Sequence, residues 1–188
     1  MTDVLLRFSE WLAATPWSIA LHESFYVYPL IESTHVLTLC LFVGTLVMVD
    51  LRLLGWSFNQ SAVSELTAKI LPWTVIGFVI MTITGLLLYY AIPVRTYHSV
   101  WFRIKVVFLV IAGINAWRFH RRIKNAGLDW DRDPKPPRSA QISGAVSLTL
   151  WAGIIVSGRL IAYNWFDCDK PQSAFIAWAG SCVNEFGQ

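Results

Sequence analysis

The chain has 188 residues, 55% hydrophobic and only 14% charged, with 15 Lys and Arg against 12 Asp and Glu. A soluble domain usually carries about a quarter charged residues, and a mean hydropathy of +0.51 rules out disorder, because there is ample apolar surface to bury. The basic residues do not spread over a soluble face, which argues against nucleic acid as a partner, and the 10 Trp suit a membrane interface.

The expected fold is all-α: one polytopic membrane domain with four transmembrane helices, N-terminal interfacial helices and a short extracytoplasmic C-terminal cap. In residues 1–26, Asp3, Arg7, Glu10 and Glu23 interrupt any apolar stretch, so no cleavable signal is expected. Val4, Leu5, Phe8, Trp11 and Leu12 recur at helical spacing with polar residues between them, the pattern of a helix lying in the interface. Thr15-Pro16 reads as an N-cap and first-turn proline opening a second short helix to about Glu23, which carries His22. Tyr28-Pro29 then restarts the chain.

Residues 33–49, 70–94 and 139–158 are free of Asp, Glu, Lys and Arg, and about 20 such residues cross a bilayer. Residues 106–117 form a shorter run between Lys105 and Arg118, whose long side chains can snorkel to the interface. The predicted spans are 29–55, 68–92, 99–122 and 140–164, with 165–188 as the cap. Between the last two spans, Asp131 to Pro137 reads as an extended linker. No internal repeat stands out.

Arg118, Arg121, Arg122, Lys124, Arg132, Lys135 and Arg138 crowd one loop, and Arg52 and Lys69 lie on the same side. The positive-inside rule makes that side cytoplasmic. Both termini then lie outside, in the periplasm if this is a Gram-negative inner membrane. Cys168 and Cys182 fall in the outer tail, where a disulfide persists; two free thiols are the alternative. Lys170, Pro171, Phe175 and Trp178 belong to the same tail, and the proline and aromatic residues suggest an ordered cap. Cys40, inside the first span, is expected to be packing.

Ionisable residues inside a membrane are costly and mark candidate sites. Glu32, His35 and Asp50 share one face of the first span, with Glu32 and Asp50 about 27 Å apart along the axis. His98, Lys105 and His120 form a stripe on the third, provided that helix begins by His98. Gly144, Ser147, Trp151 and Gly158 give the fourth a face of mostly small residues, suited to close packing or to a flat cofactor. His22, His35 and His98 lie toward the outer side, whereas His120 sits among arginines as a headgroup-facing residue.

Three readings follow. A b-type haem takes one or two axial histidines in a slot between helices. Here His35 would be the first ligand and His98 the second, with His22 and Lys105 as competitors. Arg95, Arg103 and Arg159 would lie at the level of the propionates, and Gly85 and Gly158 would let the ring approach. In the second reading there is no cofactor: Glu32, Arg103, Lys105 and Arg159 neutralise one another and His35 is a hydrogen-bonded core residue. In the third, the outer imidazoles hold copper, although Met1, Met48 and Met81 form no cluster beside them. Motifs of hydrolytic or nucleotide-driven chemistry are missing.

The runs His35-Val36-Leu37, Phe42-Val43-Gly44, Asp50 to Gly55, Arg103-Ile104-Lys105 with Asn115 and His120, and Ser157 to Tyr163 resemble a bacterial four-helix membrane family of unknown function over about residues 20–165. More distantly the pattern is similar to CopD-like copper-resistance domains and HemJ-type protoporphyrinogen oxidases. That resemblance implies haem ligation by His35 and a functional role for Lys105. The long N-terminal segment and the Cys-bearing cap depart from those families. The expected function is electron transfer through one haem b between membrane quinone and an outer redox partner, with Glu32 or Asp50 taking a proton at a quinone pocket. The alternatives are a cofactor-free assembly subunit of a larger membrane complex and a copper-handling protein. A homo-oligomer could complete a site with a neighbour's histidine.

Overall fold

A computed structural model describes residues 2–126, 129–163, 168 and 173–182. Lys170 and Pro171, assigned above to the cap, lie outside the described residues. The helices are α1 (Thr2–Ala13), α2 (Pro16–His22), α3 (Val27–Leu54), α4 (Val63–Ala91), α5 (Pro93–His98), α6 (Val100–Ala126), α7 (Arg138–Leu160) and α8 (Ala174–Gly180), with a 3-10 turn at Ile161–Tyr163. Four helices are long and apolar enough to cross a membrane: Val27–Leu54, Val63–Ala91, Val100–Ile123 and Arg138–Tyr163.

The second span begins five residues earlier than predicted, at Val63 rather than 68. Its two charges do not break it, because Glu65 and Lys69 pair one turn apart at 2.8 Å on the exposed face. The third span, predicted from residue 99, begins at Val100, so its helix does not reach back to His98. Ser99 is extended and its hydroxyl accepts from the Phe102 N–H, so α6 starts at Val100 and His98 belongs to α5. The stripe of His98, Lys105 and His120 is therefore not one helix face. The expected start of α2 is present: Thr15 Oγ1 accepts from the Ser18 N–H and Pro16 follows it.

The four spans pack as two antiparallel hairpins, α3 with α4 and α6 with α7, joined along α3 and α7. Between α4 and α6 there is no comparable packed seam. The bundle is thus a row, α4–α3–α7–α6, bent around an open side. Small residues set the close contacts. A Cβ on Gly77 would come within 3.1 Å of the Phe42 backbone, and one on Gly144 within 3.0 Å of the Asp50 carbonyl oxygen. Phe42, Val43 and Met81 form one buried cluster, with Trp151 of α7 edge-on to Phe42 at 4.9 Å. Leu53, Val63 and Ala140 form a second toward the loop end. Polar pairs join helices across the apolar interior, where no water competes for them. Thr74 donates to Thr45 at 2.8 Å. Asn115 of α6 and Ser143 of α7 bond reciprocally, at 3.0 and 3.1 Å.

The N-terminal helices dock by their polar side. Ser9 bonds Tyr89, Thr15 bonds Tyr90, and Ser18 donates to the Tyr90 carbonyl. That leaves Val4, Leu5, Phe8 and Trp11 exposed on the other side of α1, as suits a helix at a membrane interface.

At the loop end Arg52 is fully buried and donates to three carbonyls: Nε to Ser61 at 2.8 Å, Nη2 to Asp131 at 3.2 Å and to Asp133 at 3.0 Å. Asp131 also receives the Ser64 N–H and hydroxyl and the Val63 N–H. Burial pushes the Asp131 carboxyl up, but these hydrogen bonds and Arg132 outweigh it and hold it below its ordinary value. Gly55 adopts φ +73° to end α3, and a Cβ there would also press on the Pro134 carbonyl at 3.3 Å. The Asp131–Pro137 stretch is thus pinned to the ends of α3 and α4.

Candidate functional site

His35 lies in the first third of α3 and faces α4. Its Nδ1 is 2.9 Å from the Thr84 hydroxyl. That hydroxyl has one hydrogen, and the Ile80 and Met81 carbonyls beside it at 2.8 and 3.1 Å are acceptors only. The hydroxyl hydrogen serves those carbonyls, so Nδ1 carries the ring proton and donates to Thr84. Nε2 is then left with its lone pair, the state in which imidazole binds a metal or accepts a proton. Gly85 makes room for the ring: a Cβ there would sit 3.2 Å from His35 Cε1.

Lys105 comes from α6 and reaches α7. Its Nζ lies 3.3 Å from where a Gly158 Cβ would be. The ammonium is within electrostatic reach of the His35 ring, and no carboxylate is within ion-pair distance of it among the described residues. His35 thus lies against α4 of one hairpin and Lys105 against α7 of the other. Tyr89 and Phe102 stack at 5.7 Å between the end of α4 and the start of α6.

The other expected ligands are placed differently. His98 gives Nδ1 to the Gly180 carbonyl of α8 at 3.0 Å and lies edge-on to Tyr97. His22 is exposed and meets Tyr28 edge-on at 6.2 Å. Among the described residues no three His, Cys, Asp or Glu side chains come together, so His22, His35 and His98 do not form the three-imidazole cluster that the alternative copper reading needs. His120 is exposed, beside Arg121 stacked on Trp117.

The arginines also divide. Arg103, expected at a propionate, is used by the cap: it donates to Ala179, Gly180 and Tyr97 carbonyls and to Ser181 Oγ, and lies over the Tyr97 ring. A planar fork of five donors suits such a cluster of carbonyls. Arg159 is exposed in the last turn of α7, over the Tyr163 ring at 5.1 Å. The mutual neutralisation of Glu32, Arg103, Lys105 and Arg159 does not occur, since Lys69–Glu65 is the only ion pair among the described residues. The notches at Gly85 and Gly158, expected to admit a flat ring, are filled by His35 and Lys105 themselves.

Glu32 is exposed, whereas Asp50 is buried against α7 beside Ser147. The Cys168–Cys182 disulfide is formed, with Cα atoms 5.3 Å apart, and closes under Gly180. Cys40 is exposed on α3 rather than packed. Sequence reasoning missed Thr84. A threonine in an apolar helix reads as filler, and the signal available was its place next to Gly85, opposite a histidine.

Residues 20–164 match a family of unknown function, DUF6644, and the chain belongs to it. No curated protein and no solved structure matches the chain.

Proposed function

We propose that this member of the DUF6644 family binds one b-type haem through His35, with Lys105 as the second nitrogen donor, and passes electrons between membrane quinone and an extracytoplasmic redox partner. The observation that carries the reading is the Thr84 contact, which occupies His35 Nδ1 and leaves Nε2 for another ligand. A ligating histidine commonly donates its other ring nitrogen to such a partner. Bound haem would supply one-electron chemistry, with a potential set by its axial ligands and surroundings. The chain's own residues then have defined tasks. Thr84 orients His35, Gly85 and Gly158 leave space for the two donors, and Arg159 is a cation that could pair a propionate. The side between α4 and α6, which lacks a packed seam, is where a flat ring would lie.

With the basic loop facing the cytoplasm of a bacterial cell, the site falls in the outer half of the inner membrane and both termini lie outside. The disulfide then lies on the oxidising side.

The test is an absorption spectrum of the protein purified in mild detergent from haem-replete cells. A Soret band with sharp reduced α and β bands, at about one haem per chain, is the expected result. A colourless protein overturns the reading and favours an assembly subunit. In that case the α6 surface, of whose most apolar window only 6% is buried, would be a contact face.

A further inference from the structure

Asp50 is the acidic side chain buried within a span of this bundle. It is 6% exposed, and its Oδ2 has no hydrogen-bond partner. It lies on α3 one helical turn before Leu54, where the helix ends. α7 packs directly against it: the Asp50 carbonyl is 3.0 Å from the position of a Gly144 Cβ, and Leu53 and Gly144 close the same contact.

The charged groups around it are committed elsewhere. Arg52, on the same helix, directs its guanidinium to the Ser61, Asp131 and Asp133 carbonyls. Glu65 and Lys69 of α4 pair with each other on the exposed face. Arg138 at the start of α7 is exposed, as are Arg118 and His120 of α6. Among the described residues, Ser147 of α7 is the side chain that interacts with the carboxyl.

An ionised carboxylate in this position would have one hydroxyl donor and no counter-ion. Buried groups so placed neutralise instead. Two ligands can do that, a proton or a metal cation. Hard cations take about six oxygens, and Asp50 with Ser147 supplies far too few. We propose that Asp50 is a proton-binding site within the membrane, holding a neutral carboxylic acid and exchanging its proton with the loop end of the bundle. The path to that end is about one turn, or about 6 Å along the axis. His35 lies 15 residues earlier on the same helix, about 22 Å away, so the site is separate from the proposed haem site and stands or falls independently of it.

The test is labelling of the full chain in detergent with dicyclohexylcarbodiimide, which attacks protonated carboxyls in apolar surroundings, read by peptide mass. One adduct at Asp50 is expected, with a yield falling about tenfold per pH unit once the carboxyl ionises. Asp50→Asn, which keeps the shape, loses the adduct, and Ser147→Ala keeps it. Infrared spectroscopy on the same samples is expected to show a protonated-carboxyl stretch at neutral pH that Asp50→Asn lacks. No adduct and no such stretch overturns the proposal. So does labelling confined to Glu23 or Glu32, or protection by sodium at constant pH, which would make the ligand a metal cation.

Discussion

The surroundings of Arg52 and those of His35 and Lys105 treat buried nitrogen in opposite ways. At the loop end, Arg52 spends its fork on three backbone carbonyls and ties the segments around Ser61 and Asp131–Asp133 to α3. At the opposite end, His35 has Nδ1 held by Thr84, and Lys105 has no carboxylate within ion-pair distance among the described residues. Both regions are costly intramembrane polar sites by composition. Arg52 keeps only Nη1 without a partner, whereas the second region keeps a ring nitrogen and an amine for another ligand. Arg103 repeats the first pattern at the opposite end, where it gathers the carbonyls of the cap. The lesson is that a charged residue in a span is a site only once its donors have been accounted for.

The sharpest way to break this contrast is Arg52→Ala. It strands three carbonyls, each costing on the order of 1–3 kcal/mol when left buried and unpaired. Thermal unfolding in detergent is expected to show a loss of several kcal/mol, with Arg52→Lys recovering little, because an ammonium lacks the fork. A change within error would mean that the loop is not held through Arg52.

Opening the cap comes next. Cys168 and Cys182 are 14 residues apart in sequence, and closing a loop of that size stabilises by about 3 kcal/mol. Reduction, or Cys182→Ser, is expected to lower the melting temperature accordingly and to expose His98 and Arg103 to labelling. Unchanged protection of both would show that the cap stays docked without its crosslink.

Thr84→Val tests the outer site more gently. Valine keeps the shape and removes the acceptor of the His35 Nδ1 proton. Loss of such an orienting partner typically weakens metal binding 10- to 100-fold, so haem retention is expected to fall by about that factor with the fold intact. Gly85→Ala is expected to act likewise, since its Cβ meets the His35 ring. Full occupancy in both variants would detach His35 from the haem reading.

The smallest effect is electrostatic and belongs to the loop end. Asp131 titrates below its ordinary 3.8 in the folded chain. Its contribution is therefore complete above that value and is lost as the pH falls through the folded value. The carboxyl is largely solvated, which weakens it further. Unfolding midpoints of wild type and Asp131→Asn should differ slightly at pH 7 and converge on acidification.

The spans were legible because uncharged runs of membrane length have one reading. The start of α4 was not, since Glu65 and Lys69 look like a loop until their one-turn spacing is weighed. The break before α6 left a trace in Ser99, a residue suited to capping three positions before Phe102. His35 and Lys105 were visible as candidates through their type and depth. The roles of Arg52 and Arg103 were hidden for a physical reason. Their partners are backbone carbonyls, which every residue carries, so no side-chain identity advertises the contact. The use of His98 by Gly180 was hidden in the same way.

That His35 and not His98 holds the haem is tested most directly by oxidised and reduced absorption spectra of three proteins: wild type, His35→Ala and His98→Ala. Wild type and His98→Ala should show the same Soret and α bands, and His35→Ala should show none. A spectrum that survives His35→Ala, or one abolished by His98→Ala in a folded protein, would remove this site as the haem centre.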